Sequence, residues 1–240
     1  MASIEFVSGI VGASVGLEGW LEVISHNLSN LQTPGFKRHV LSFENEEYQT
    51  SETERGFSIR PQKLTLDLSQ GPIKATGNPL DLAISGDGFF VVQTPMGERF
   101  TRKGDFSFDR NGFLVTKEGF QVLGEGGPIE IGRGREIVIN ESGQVIVDGE
   151  LIDTLRIVTF SKEAQLIPEG NGLIRVEKGE LVASENFSVK QGFLEDSNVS
   201  PIEEMVRLIN AVRLFEAYQK ALQTSFEDLS RKLIQEVIRV

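Results

Sequence analysis

Few residues in this 240-residue chain are of types that could do chemistry. His26 and His39, its two histidines, lie on either side of a Pro34-Gly35 turn, and no third ligand stands at metal spacing. They are expected to be a surface and a packing residue. Asp81, Asp87, Asp105 and Asp109 fall in or beside strand-like segments and could pair for acid/base cleavage of a glycan, although carboxylates in β-hairpins usually take turn and edge positions. Asp109-Arg110-Asn111-Gly112 opens like a calcium loop but lacks the remaining ligands and the closing Glu, so it reads as a hairpin turn. Gly86-Asp87-Gly88 and Gly132-Arg133-Gly134 lack the strand-to-helix context of a phosphate cradle. No cysteine is present to supply a disulfide, a thiolate or a soft metal ligand. The expectation is therefore a protein that is not an enzyme, with no catalytic, cofactor-binding or metal site and no cofactor.

The composition narrows the partners. With a net charge of −11 and a pI near 4.8, the chain would be repelled by phosphates and by anionic membrane surfaces, so neither nucleic acid nor membrane insertion is expected. The N-terminus lacks a basic segment followed by an apolar one, which predicts that any export proceeds without a cleaved signal peptide.

The elements that could present a partner surface lie at the two ends. From Ser3 to Leu31 a 3-4 spacing runs through Phe6, Ile10, Ala13, Leu17, Trp20, Ile24 and Leu31, with Leu28 beside the polar Asn27. Gly9, Gly12, Gly16 and Gly19 interleave it, each costing about 1 kcal/mol against Ala in a helix interior, so this helix needs neighbours that exploit the close approach. From Asn198 to the C-terminus the spacing recurs through Met205, Leu208, Val212, Phe215, Leu222, Phe226, Leu229 and Leu233, with Gln219 and Glu236 as polar exceptions. Such a repeat makes a narrow apolar seam for another helix. Asn198 or Ser200 can cap the start, Pro201 suits the first turn, and Glu203 and Glu204 complement the helix dipole. The run predicts a helix of about forty residues, roughly 60 Å long at 1.5 Å per residue.

Between the ends the periodicity changes. Residues 41–62 are acidic and irregular and read as a solvated linker or extended arm. Beyond them, period-2 segments such as Leu80–Ile84, Phe89–Val92, Gln121–Leu123, Ile137–Ile139, Val145–Val147 and Leu155–Val158 alternate with turns at Pro95-Met96-Gly97, Arg110-Asn111-Gly112 and Ser142-Gly143. The expected fold is α+β: long N- and C-terminal helices forming a coiled-coil-like layer, with a central, mainly antiparallel β domain. The expected divisions are an N-terminal helix at 1–35, an acidic arm at 36–64, the β domain at 65–192, and a hinge with the C-terminal helix at 193–240.

Three ordered strings carry a family resemblance. The first, Ser25 to Arg38, contains Asn27-Leu28-Ser29-Asn30 and Thr33-Pro34-Gly35-Phe36-Lys37. The second runs from Thr76 through Gly77, Asn78, Leu80 and Asp81 to Gly88, Phe89 and Phe90, followed by Phe100–Phe106. The third is Gly192 to Val206, with Ser197-Asn198-Val199-Ser200-Pro201 at its centre. Together they resemble the bacterial flagellar basal-body rod and hook proteins, although Ser29 stands where the family's run commonly has Ala and Pro34 sits inside the turn. Leu123–Ile129 and the chain length look more like the rod subunits than the larger hook subunit. Phe215–Lys220 leans toward the proximal rod protein, with the distal rod protein as the alternative. The resemblance implies a structural subunit exported by the flagellar type III apparatus. It would polymerise with copies of itself and other rod proteins into the periplasmic shaft that carries motor torque to the hook. The seam residues of the two terminal helices would then form the assembly interface. The rival from another class is a β-rich adhesin or carbohydrate-active protein with a helical oligomerisation stalk.

Overall fold

The computed structural model describes residues 2–49, 55–132 and 136–238. Side chains are described over 16–42, 63–132 and 136–227, and at Ser230, Arg231 and Ile234. The chain forms two compact units, one of residues 1–29, 39–65 and 200–240, the other of residues 30–38 and 66–199.

The first unit contains helix α1 (Ala2–Ser29), the paired strands β1 (His39–Gln49) and β2 (Arg55–Leu66), and helix α2 (Pro201–Ile238). The acidic arm is thus extended, as a two-stranded ladder rather than irregular coil over 41–49 and 55–62. Helix α1 packs against both α2 and β1. Gly16, Leu17, Ile24 and Asn27 form its buried stripe, and Gly19 approaches the Leu41 side chain of β1. Ser200 begins α2, its carbonyl accepting the Glu204 N–H at 3.0 Å, and Pro201 occupies the first turn where a missing N–H costs nothing.

The expected coiled-coil-like layer of long terminal helices is overturned. Among the described residues there are two α-helices against nineteen strands, and the chain is strand-rich with large antiparallel sheets. The expected seam positions on α2 divide within the subunit: Leu208, Phe215 and Leu222 are half-buried and the rest of the described ones are exposed. The covered positions of the described part of α2 are Glu204, Arg207, Leu208, Ala211, Phe215, Tyr218, Ala221, Leu222 and Ser225, whereas Met205, Val212 and Phe226 are 54%, 39% and 57% exposed. The reason is that apolar residues surround the first half of α2. Ile202, Val206, Ile209 and Leu214 are exposed as well, so more than one 3-4 frame could be drawn through the helix. The frame that is buried is marked by the small Ala211 rather than by the largest side chains.

The second unit is β-rich. Its strands are β3 (Ile73–Ala75), β4 (Leu82–Gly86), β5 (Phe89–Thr94), β6 (Gly97–Thr101), β7 (Ser107–Phe108), β8 (Leu114–Val115), β9 (Gln121–Gly124) and β10 (Gly127–Pro128). They continue with β11 (Ile137–Ile139), β12 (Gln144–Val147), β13 (Glu150–Thr154), β14 (Ile157–Phe160), β15 (Gln165–Glu169), β16 (Leu173–Lys178), β17 (Leu181–Ala183), β18 (Phe187–Gln191) and β19 (Phe193–Glu195). The main sheet runs β15-β16-β6-β5-β9-β8-β7, with β10 on β9 and the β14–β17 pair on β5. A meander β11-β12-β13 and the pairs β18–β4 and β19–β3 complete it.

Strand β5 is the centre of this unit because both its faces are buried. Phe90 and Val92 enter one cluster with Leu82, Ile84, Phe106, Leu114 and Val122; Phe89 and Val91 enter another with Phe100, Leu123, Val158 and Ile174. Alternation along a strand sends successive side chains to opposite faces, so a four-residue apolar run serves two cores at once. Phe90 meets Phe106 edge-to-face at 5.1 Å, and Phe160 closes on both Phe89 and Phe100.

The burial pattern makes a prediction for α2. Ala211→Leu, at a fully buried position, lowers the stability of the helical unit by about 1–3 kcal/mol through overpacking. Met205→Gln, at an exposed one, changes it by no more than about 0.5 kcal/mol. Urea titration followed by hydrogen exchange in α1 and α2 distinguishes the two frames.

Candidate functional site

The residues that most constrain the β unit are buried charges near the ends of its chain segments. Glu195, on β19, is 1% exposed. Its Oε1 accepts from Lys37 Nζ at 2.7 Å and from the Gly71 N–H at 2.9 Å, and its Oε2 accepts from Arg102 Nη1 at 3.0 Å. The Glu195 carbonyl accepts the Gly35 N–H at 2.7 Å. One carboxylate therefore joins segments 35–37, 69–71 and 102.

The two cations are buried too, and each makes further hydrogen bonds, although Arg102 Nε is buried without a partner. Lys37 Nζ also donates to the Ser69 carbonyl at 2.7 Å. Arg102 donates to the carbonyls of Ile84 and Gly86 at 3.1 and 2.6 Å, and its guanidinium lies 5.1 Å from the centre of the Phe89 ring. Burial lowers the affinity of both Lys37 and Arg102 for their protons, and the Glu195 carboxylate opposes that by charge and hydrogen bond. The cluster holds two cations and one carboxylate, so removing Glu195 leaves two buried positive charges.

Asn198 extends this clasp. Its Oδ1 accepts the Arg38 N–H at 2.7 Å, while its Nδ2 donates to the carbonyls of Asp67 and Ser69 at 2.8 and 3.0 Å. It is thus occupied in the β unit and does not cap α2. Arg38 and Asp67 add a backbone bond at 2.9 Å and an ion pair at 3.1 Å. The chain here is crowded enough to demand glycine twice. Gly35 has φ +65, and a Cβ on it would overlap the Arg102–Lys103 peptide. A Cβ on Gly71 would overlap the Asp196 carbonyl.

The other residues singled out in the sequence are scattered over the two units. Asn27, 1% exposed, both donates to the His39 carbonyl and accepts its N–H, each at 2.9 Å, tying the end of α1 to the start of β1. Leu28 is half-buried there, and Asn30 accepts from Thr33 in the following turn. Phe36 is buried and accepts the Asn198 N–H. Gly77 donates to the Gly192 carbonyl, Asn78 holds Asp81 at 2.8 Å, and Leu80 packs on the first core. Gly88 takes φ +125 ahead of Phe89 and Phe90. The Ser197 hydroxyl accepts the Val199 N–H at 3.3 Å, with both residues buried.

Of the proposed assembly residues, Leu17 and Ile24 are buried, and Trp20, Leu31, Leu208, Phe215 and Leu222 are half-buried. Met205, Val212 and Phe226 are exposed. The side chains of Phe6, Ile10, Leu229 and Leu233 lie outside the described residues. Arg102 and Glu195 lie inside two of the family strings without any local feature that marks them as a site. Nothing in their spacing from Lys37 signals contact, since the Lys37–Glu195 bond spans 158 positions.

The possible acid/base carboxylates take supporting roles. Asp81 and Asp105 face each other across an isolated bridge, Asp105 held by Lys117 at 2.6 Å. The Asp109 carboxylate accepts the N–H groups of Asn111 and Phe113, which closes a turn. Among the described residues, no group of three or more His, Cys, Asp or Glu is placed to hold a metal ion. The two histidines do meet: their rings stack with centroids 4.5 Å apart.

Two family models match this framework. The flagellar hook protein FlgE/F/G D1 domain matches residues 83–147, and the flagellar basal body rod FlgEFG protein C-terminal region matches residues 190–236. They define the class as a structural component of the flagellar axis. The flagellar basal-body rod protein FlgF of Mesorhizobium japonicum is 34% identical, over 86% of this chain and 87% of its own. That of Caulobacter vibrioides is 32% identical over 92% of each, and the rod protein FlgG of Bacillus subtilis 35% identical over 92% and 95%. The chain belongs to the flagellar basal-body rod protein family. This is a family of structural rod subunits located in the flagellar basal body, and it does not favour the adhesin or carbohydrate-active alternative.

Two outcomes follow from the geometry. Glu195→Ala lowers the stability of the β unit by about 3–5 kcal/mol in denaturant titration, because it strands two buried cations. In the helical unit, burial first and the His26 charge second bring the His39 pKa from 6.5 to about 4. A base whose folded pKa is lowered contributes stability in full above its unfolded value and loses it as pH falls. Protection of the backbone amide at position 39 should therefore decline from about pH 6.5 toward 4, and His39→Gln should remove that decline.

Proposed function

We propose that this rod subunit joins its neighbours through the apolar surface of α2, building the shaft that carries torque from the motor to the hook. The observation carrying this reading is the run of exposed Ile202, Met205, Val206, Ile209, Val212 and Leu214, with Phe226 further along the helix. An apolar patch of this length on one helix is unusual on a monomer and marks an interaction surface. Copies meeting through two different faces grow an open helical polymer instead of closing into a ring.

On this reading the role is mechanical and the protein is not an enzyme. It reaches the axis through the flagellar type III apparatus. The tail Phe215–Lys220 favours the proximal rod segment. The relatives include both FlgF and FlgG rod proteins, so that segment has to be tested directly.

Ile209→Asp places a charge at a position that is 53% exposed, so the isolated subunit keeps its fold while rods fail to form and motility is lost. Normal rods from this variant would remove α2 from the interface. Because the chain has no native cysteine, Val206→Cys reports contacts without background. Crosslinking in isolated basal bodies yields adducts with copies of itself and with proximal rod proteins; adducts with distal ones alone would reassign the segment.

A further inference from the structure

We propose that residues 195–199 are a folding latch: the β unit closes last, when Glu195 and Asn198 reach the segments at 35–38, 67–71 and 102. The clasp is built from contacts between residues far apart in sequence. Lys37–Glu195 spans 158 positions, Arg38–Asn198 spans 160, Gly71–Glu195 spans 124 and Arg102–Glu195 spans 93. By contrast β5–β6, β8–β9, β11–β12–β13 and β15–β16 are ladders between strands adjacent in sequence. Closing a long loop costs entropy before its contacts give anything back, so the local ladders form first and the clasp afterwards.

The chemistry of the clasp sharpens this order. Until Glu195 arrives, burying Lys37 and Arg102 means burying two cations without a counter-charge. The Gly35, Arg38 and Gly71 N–H groups also lack their acceptors, which are the Glu195 carbonyl, Asn198 Oδ1 and Glu195 Oε1. Segments 35–38 and 69–71 therefore stay open to water while the central ladders are already made. The neighbouring pairs β18–β4 and β19–β3 bring the same C-terminal stretch home. A chain lacking its last fifty or so residues cannot lock its β unit. The use of such a delay rests on the export reading above: a subunit threaded as a chain would complete the unit only after both sides of the clasp have been delivered. The latch itself is a property of the isolated chain and can fail independently of export.

Pulsed hydrogen exchange during refolding of the full chain reads the order directly. The expected result is protection of Val91, Val92 and Phe100 in an early phase, with Gly35, Arg38 and Gly71 protected in a later one. Glu195→Ala should leave the early phase unchanged and accelerate unfolding by about a hundredfold or more. If that variant is too unstable to refold, Asn198→Ala removes acceptor and donor without stranding the cations and should accelerate unfolding by about tenfold with refolding unaltered. Simultaneous protection of both sets of amides, or a variant that slows the early phase, overturns the latch. Normal latch kinetics in a chain that proves not to be exported would leave the latch standing and remove only its use.

Discussion

The Glu195 carboxylate, bonded at once to Lys37, Arg102 and the Gly71 amide, is the interaction on which the rest of the β unit depends. It gathers segments from the first, middle and last parts of the unit's chain, so the local ladders become one framework. Burying ions is expensive, and the arrangement is tolerable because the principal donors are occupied and the Phe89 ring lies against the guanidinium. Asn198 then fixes Arg38, Asp67 and Ser69. These are the residues beside which the chain passes between its two compact units, at 38/39, 65/66 and 199/200.

That placement suits a structural subunit. A structural rod subunit needs defined geometry where its chain leaves the β unit and a surface for its neighbours. The first and third family strings fall where the chain leaves the β unit. The second builds β4 and β5 at the meeting of two cores, while the first and third supply the two sides of the clasp. Asn27 makes a smaller version of the same joint within the helical unit.

Much of this was legible in the residues. Short runs of β-branched and aromatic residues bounded by turns, as in Phe89–Val92, Gln121–Leu123 and Val145–Val147, mark real strands, and Pro34-Gly35 marks a real stop to α1. Strands of two or three residues, such as β10 and β19, are too short for any period to show, and the charged, exposed β13 has no apolar rhythm. On α2 the pattern was ambiguous because apolar side chains occur all round its first half, and the buried frame was set by Glu204 and Ala211, which hydrophobicity does not single out. The clasp was not legible at all as a site. Ion pairs between residues far apart in sequence leave no spacing to read, and Lys37, Arg102 and Glu195 look like ordinary surface charges until the fold buries them.

The central claim, that α2 carries the surface by which this rod subunit meets its neighbours, is tested most directly by oxidative footprinting of the free protein and of isolated basal bodies. Met205 and Phe226 lie on α2 at 54% and 57% exposure, and both label readily in the free subunit. In assembled rods their labelling should fall several-fold. Equal labelling of both residues in the two states would contradict the account, because the apolar face of α2 would then remain in water after assembly.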